Sequence, residues 1–242
     1  MCGVIKEIMM MDNMRSDAYH EIKYKIIHFD YIPGQKISEK TISQELGLGR
    51  TPVREAIIRI EREGLIEVIP QSGTYITRID MADAKDARFV RECIEPKIMI
   101  NAAANISEDA LATLRENLKE QDKTASEINP DSFFDLDQDF HHEFYKVVDK
   151  DTVWDWLQIN NTQLNRFRRL RLKEMDLNWS TIYTQHKHIF DAVVEKNIDD
   201  LEYLVNEHLH LMLLEKGQVL EAYPDYFRNY DEESNSASDT SN

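Results

Sequence analysis

From Met81 to about residue 220 the chain repeats its apolar residues at helical spacing and lacks the alternation of a half-buried strand. The pattern predicts helices over roughly 82–104, 107–125, 130–149, 151–175, 179–196 and 198–220. Asn105 and the Asn129-Pro130 pair separate neighbours, and Pro96 is expected to kink the first of them. Turn-makers are scarce: 7 Gly and 6 Pro in 242 residues is about 5%, against a usual combined share of about 12%. A sandwich, a barrel or a Gly-rich dinucleotide fold needs more of them. The fold class predicted is mainly α, with an all-α helical bundle filling the C-terminal part.

The first 78 residues read differently. Asp17 to Phe29 carries Ala18, Ile22, Ile26 and Phe29 at helical spacing. Pro33-Gly34 makes a turn, and Ser38 serves as N-cap for a short helix ending near Leu46. Gly47-Leu48-Gly49 then gives a tight turn before a helix with Pro52 in its first turn, where a missing N–H costs little. Val53, Ala56, Ile57 and Ile60 form the buried face of that helix, and Gly64 ends it. LIEVIP and TYITRI flank Gln71-Ser72-Gly73 as a two-stranded hairpin. This order of elements is that of a winged helix-turn-helix. The predicted domains are 1–78 for the winged helix, 79–222 for the bundle and 223–242 for a disordered acidic tail, where NYDEESNSASDTSN is nearly free of large apolar groups.

Charge follows the same division. Residues 1–78 hold 11 Lys/Arg and 11 Asp/Glu, so the net charge of −16 resides in 79–242. Affinity for nucleic acid from bulk charge is excluded, and any DNA contact must come from a local patch. Cys2 and Cys93 are too few for a disulfide framework or a thiolate metal site and read as free thiols of a reducing compartment. Lys6 and Glu7 interrupt the start before it reaches signal-peptide length. No run of about 18 apolar residues occurs. A soluble cytoplasmic protein without a membrane partner is expected.

The stretch PGQKISEKTISQELGLGRTPVREAIIRIEREGLIEVIPQSGTYI resembles the DNA-binding domain of GntR-type bacterial transcription regulators, with RTPVREA and RIEREGL as its specific signature. One departure is visible: Gly49 stands where the family usually has Ser or Thr, so a capping hydroxyl is lost. Arg50 and Arg54 lie four apart on an edge of the helix away from the Val53/Ile57/Ile60 stripe, which suits bidentate reading of guanine in the major groove. Thr51 lies beside Arg50 in the same run, and Lys40 is placed for a phosphate or groove contact. The resemblance implies that Ser72 and Gly73, at the wing tip, enter the minor groove. Arg59 and Arg62, beside Glu55, Glu61 and Glu63, read instead as surface ion pairs.

Six of the eight histidines fall in the bundle as neighbouring pairs, and helical phase selects one from each. His141 shares a stripe with Phe133, Phe134, Asp137, Phe140, Phe144 and Val148, while His142 is rotated off it. His186 lies with Ile182, Ile189, Phe190 and Val193; His188 is turned about 200° away. His208 lies with Leu201, Leu204, Val205 and Leu211, and His210 points elsewhere. Asp137, His141, His186 and His208 therefore all face inward. Three imidazoles and a carboxylate suit one divalent transition metal, with Zn as first choice and Ni, Fe or Mn as alternatives.

LDQDFHHEFYKVV, QHKHIFDAVVEKNIDDLEYLVNEHLHLML and VRECIEP resemble the helical effector domain of the FadR-type GntR subfamily, called FCD, over about 85–215. The resemblance implies that the same four residues ligate the metal. Gln185 stands where the family often has Glu. Arg91 falls where the family places an inward arginine that meets a carboxylate effector; the alternative is an internal ion pair with Glu95. Asn160 and Asn161 are further candidates for the cavity. Together these readings predict a non-enzymatic, effector-responsive transcription regulator that binds operator DNA as a homodimer. The alternatives are a metal-dependent hydrolase-like enzyme built on the Asp/His site and a DNA-binding dimer without effector sensing.

Overall fold

A computed structural model describes residues 17–174, 179–214 and 216–230. Cys2 and the tail from residue 231 lie outside the described residues. The described residues form two compact units, one running to Ile79 and including Asp225–Arg228, the other built mainly from Asp80–Pro224.

The first unit begins with α1 (17–27), which buries Ala18, Ile22 and Ile26. Phe29 lies beyond the end of α1 at φ 67°, so the helix stops earlier than its apolar spacing suggests. Strand β1 (Lys36–Ile37) precedes α2 (Glu39–Leu46), whose N-cap Ser38 accepts a hydrogen bond from the Thr41 amide. Such a cap stabilises a helix by about 1 kcal/mol. Gly47, at φ 66°, turns the chain into α3 (Arg50–Arg62). Val53, Ala56, Ile57 and Ile60 of α3 are buried, as their spacing predicts. Strands β2 (Ile66–Ile69) and β3 (Gly73–Ile76) form the antiparallel hairpin. The structure adds β1 to it, giving the strand order β1-β3-β2. At two residues, β1 is too short for its alternation to show in the sequence.

The second unit is helical. Asp80 opens α4 (Met81–Asn105) by accepting from the Ala82 and Asp83 amides, and the helix continues through Pro96. Ser107 caps α5 (Glu108–Glu127), and Asn129 with Pro130 starts α6 (Pro130–Val147). The single helix expected over 151–175 is two, α7 (Asp151–Asn160) and α8 (Thr162–Lys173), because the chain turns at Asn161. Helices α9 (Trp179–Glu195), α10 (Ile198–Leu214) and α11 (Lys216–Ala222) follow. The core joins Met99, Leu114, Phe140, Phe144, Ile189, Val193, Leu201 and Val205, so α4, α5, α6, α9 and α10 share one interior. Each such side chain, when fully buried, stabilises the fold by about 1.5–3 kcal/mol.

Of the stretch 223–242 expected to be a disordered tail, the described residues hold local structure. Pro224–Tyr226 form a 3-10 turn and Phe227–Arg228 a short strand. Phe227 is buried and the Tyr226 ring stacks on Phe29, so aromatic burial orders a stretch whose net composition reads as solvated.

Candidate functional site

In the bundle, α6 supplies Asp137 and His141 one turn apart, α9 supplies His186 and α10 supplies His208. All four are buried: His141 and His186 are 0% exposed, Asp137 3% and His208 8%. One ligand atom from each lies within 4.8 Å of the others. His208 Nε2 is 3.2 Å from both His141 Nε2 and His186 Nε2. Asp137 Oδ1 is 3.6 Å from His186 Nε2. Helical phase thus picked the member of each histidine pair that faces the interior. The three neighbours are elsewhere: His142 contacts Asp151 and stacks on Trp154, while His188 and His210 are exposed.

The outer nitrogens decide what the inner ones can do. His141 Nδ1 faces Glu95 Oε2 across 2.8 Å, a short contact with a group that only accepts. His186 Nδ1 lies 2.8 Å from Gln121 Oε1. The Gln121 amide nitrogen donates to Asn117 Oδ1 at 2.6 Å, and the Asn117 amide nitrogen donates to the Leu136 carbonyl at 2.9 Å. A backbone carbonyl accepts only, so the direction of the whole chain is fixed and His186 Nδ1 is the donor. His208 Nδ1 meets Gln185 Oε1 at 3.1 Å. With the three Nδ1 atoms facing outward, three Nε2 atoms and a carboxylate oxygen converge on one point. The residues fit a divalent metal.

Burial disfavours the charged form of two of the imidazoles. Burial, reinforced by His141, Arg168 and Arg91 against the pull of Asp137, lowers His186 to about 3. Burial and the neighbouring His186 and His141 lower His208 as well. Burial opposes ionisation of Asp137, but the Arg168 guanidinium and then the histidines outweigh it and keep the carboxylate ionised. Arg168 bonds Asp137 Oδ2, which leaves Oδ1 toward the histidines.

Arg91 is buried and bonded through Nε and Nη2 to Glu95, so the ion pair weighed from the sequence is present. It also lines a cleft together with Asp137 and His208. Asn160 and Asn161 do not line that cleft; Asn160 is exposed and donates to the Trp156 carbonyl. Sequence reasoning missed Gln121 and Arg168. Gln121 carried a signal, since it continues the inward stripe Leu111, Leu114 and Leu118 as its polar member. Arg168 did not: it is half-buried in a basic run, Arg166 to Arg171, most of which is buried, and nothing local sets it apart.

In the first unit Lys40, Arg50, Thr51 and Arg54 are all exposed, on α2 and α3. Arg54 Nε lies 3.8 Å from Glu39, a loose contact between two solvated groups. Gly49 occupies the N-cap of α3 and provides no side-chain cap, as the missing hydroxyl requires. Arg59 instead packs over the Tyr19 ring at 3.6 Å and faces Glu63. At the wing tip Ser72 is exposed and its hydroxyl bonds that of Tyr75 at 2.8 Å. Gly73 has φ 143°, and a Cβ there would stand 2.6 Å from Lys36 Cε.

Residues 14–76 match the model of bacterial regulatory proteins of the gntR family, and residues 86–211 match the FCD domain. The chain belongs to the GntR family. This GntR protein is 30% identical over 214 residues to the HTH-type transcriptional repressor RspR of Escherichia coli, covering 88% of its own length and 93% of the repressor's. It is also 30% identical over 213 residues to an HTH-type transcriptional regulator in an unstable DNA locus of Streptomyces ambofaciens, covering 88% of this chain and 89% of that one. Among solved structures, E. coli McbR/YncC shares its fold with a TM-score of 0.71 at 15% identity, over 87% of this chain and 98% of that one. A GntR regulator from Rhodococcus gives 0.65 at 20% identity, over 86% and 98%. The GntR–FCD regulator is a DNA-binding transcription regulator and not an enzyme, which sets aside the hydrolase-like alternative. The union of a GntR head with an FCD domain agrees with the FadR-type subfamily. No described helix is long and apolar enough to cross a membrane.

Proposed function

We propose that this regulator binds operator DNA as a homodimer, and that a small carboxylate ligand modulates the binding at a divalent metal held by Asp137, His141, His186 and His208. The observation that carries the reading is the convergence of three Nε2 atoms whose Nδ1 partners lie outward, beside an ionised carboxylate. Zn fits this nitrogen-rich donor set first, with Ni, Fe or Mn as alternatives. When bound, the metal supplies a Lewis-acidic site for an anionic oxygen. Asp137 and His208 line the cleft, so that site faces space a ligand can enter, and Arg91 stands at its wall.

In the DNA-reading unit, Arg50 and Arg54 take base edges, Lys40 makes a phosphate or groove contact, Thr51 joins the DNA-facing run, and Ser72 and Gly73 enter the minor groove. One short recognition helix reads few base pairs, so useful specificity calls for paired half-sites and two copies. The ligand then shifts the population between arrangements of the two heads that fit the operator and those that do not.

Three measurements test this: metal content of the purified protein, light scattering at micromolar concentration, and operator binding with and without chelator and simple carboxylates. The expected result is about one metal per chain, a dimer, and operator affinity that responds to the carboxylate only in the metal-loaded protein. A monomer in the presence and absence of DNA, or a protein free of metal after growth in supplemented medium, overturns the reading.

A further inference from the structure

Alternation along the three-stranded sheet of the first unit turns Ile37, Ile66 and Ile76 inward and Lys36, Glu67 and Tyr75 outward. Lys36 on β1 and Glu67 on β2 both stand opposite Tyr75 on the central strand β3. The Lys36 ammonium lies over the Tyr75 ring, 5.8 Å from its centroid, and the Tyr75 hydroxyl bonds that of Ser72 at the wing tip at 2.8 Å. The Lys36 stem passes close to Gly73. A Cβ there would stand 2.6 Å from Lys36 Cε and 3.2 Å from Nζ, so a side chain at this position would push the lysine aside.

This cation is seated yet carries no counter-charge. Lys23, Lys25, Arg54 and Arg59 of the same unit each face a carboxylate. Lys36 is exposed, and its ammonium has no carboxylate or hydrogen-bond partner among the described residues. Glu67 is kept from it by β3, which lies between their strands. A surface lysine ordinarily samples many rotamers and loses that freedom when it meets an anion. The ring and the glycine already hold the Lys36 stem, so less freedom remains to be lost on binding. A compact ammonium held in this way beside the wing tip suits one phosphate oxygen, since it lacks the planar fork that reads a base edge.

We infer that Lys36 is a further DNA contact of this regulator: its ammonium meets a backbone phosphate at the edge of the groove that Ser72 and Gly73 enter, and Tyr75 and Gly73 are the residues that position it. This rests on the reading of the wing tip above and extends the DNA-facing surface from α2, α3 and the wing turn to strand β1. A phosphate contact strengthens binding alike on every sequence and is screened by salt, whereas contacts to base edges discriminate among sequences. The two kinds of contact therefore separate in one assay.

The experiment is an anisotropy titration of the full-length protein against a DNA duplex that it selects from a random-sequence pool, repeated from about 0.1 to about 1 M salt. Lys36→Met keeps the stem and removes the charge. It should bind about fivefold more weakly per chain at about 0.15 M salt and about equally near 1 M, with the salt slope reduced by about 0.9 per bound chain. Its preference for the selected duplex over a mismatched one should stay as in the wild type. Lys36→Arg should keep the wild-type slope. Tyr75→Leu should lose part of it, and should change the slope no further once Lys36 is Met. Melting temperatures confirm an intact fold in each variant. An unchanged slope in Lys36→Met, while Arg50→Ala weakens binding in the same assay, overturns this inference alone. Unchanged binding in both variants overturns the reading of the recognition helix as well. Equal losses in Lys36→Met and Lys36→Arg would trace the effect to packing instead of charge and overturn the contact, and additive slope changes in the double variant would overturn the positioning role of Tyr75.

Discussion

Gln121 accepts a hydrogen bond from His186 with its carbonyl oxygen because its amide nitrogen is committed to Asn117. A neutral side chain on α5 thereby fixes which nitrogen of a buried imidazole on α9 keeps its lone pair for the cluster. Replacing Gln121 by Leu strands the His186 Nδ1–H and frees the ring to take the wrong tautomer. Metal affinity should fall about 10–100-fold, the usual effect of losing such a support. Competition with a chelating dye measures it, and an unchanged dissociation constant would show that the relay does not set the tautomer.

The four inward residues and their three outward neighbours give a second comparison. Asp137→Ala, His141→Ala, His186→Ala and His208→Ala should each abolish stoichiometric metal and the drop in melting temperature caused by chelator. His142→Ala, His188→Ala and His210→Ala should change neither. Metal binding contributes folding free energy when the ion binds only the native state, so content and stability should move together. Loss of metal in His188→Ala with retention in His186→Ala would mean that α9 presents its other face.

Acid should destabilise the metal-free protein well above the carboxylate range. His186 is lowered to about 3 and His208 is lowered too, whereas an unfolded imidazole titrates near ~6.5. Below that value the unfolded chain binds protons that the folded chain refuses, so stability is complete above it and falls as pH drops toward about 3. Glu95, lowered to about 2 from 4.5 because Arg91 and His141 outweigh its burial, adds a further loss between those values. Urea unfolding between about pH 7.5 and 4.5 tests the histidine part. A midpoint that does not move across this range would show that these imidazoles are protonated in the fold.

Arg50→Ala and Arg54→Ala should each weaken specific operator binding by about 1–3 kcal/mol without lowering the melting temperature. Arg59→Ala is the contrasting variant, since Arg59 lies against Tyr19 and Glu63 within the protein. It should change operator affinity little. Anisotropy titrations at one salt concentration distinguish them, and equal losses in all three would reduce the effect to general charge.

Gly49→Ser should stabilise the first unit. A Cβ at this position meets Pro52 Cδ at 3.6 Å, an ordinary contact, and the backbone is already extended at φ −65° and ψ 156°. The added hydroxyl caps α3, for a gain of a few tenths of a kcal/mol, on the order of the difference between Gly and Ser caps. Melting curves of the two proteins compare directly, and a lowered midpoint would count against the cap.

The sequence determined the reading of elements wherever a local pattern carries the information. Ser38, Gly47 and Pro52 announce the helix-turn-helix because caps and turns are decided within a few residues. Phase along α6, α9 and α10 picked Asp137, His141, His186 and His208 because inward direction is a property of one helix at a time. Tertiary structure decided what lies around them. That Glu95, Gln121 and Gln185 each meet the outer nitrogen of a different histidine depends on how α4, α5, α6, α9 and α10 pack, and no window of sequence holds that distance. Helix α8 is the clearest case. Its run of arginines carries no local sign of its partners, and the fold buries most of it, with Asp131, Asp135 and Asp137, all on α6, receiving Arg168 and Arg169. Burial of a charge is settled by the partner that arrives from elsewhere in the chain, and that partner is known only once the chain has folded.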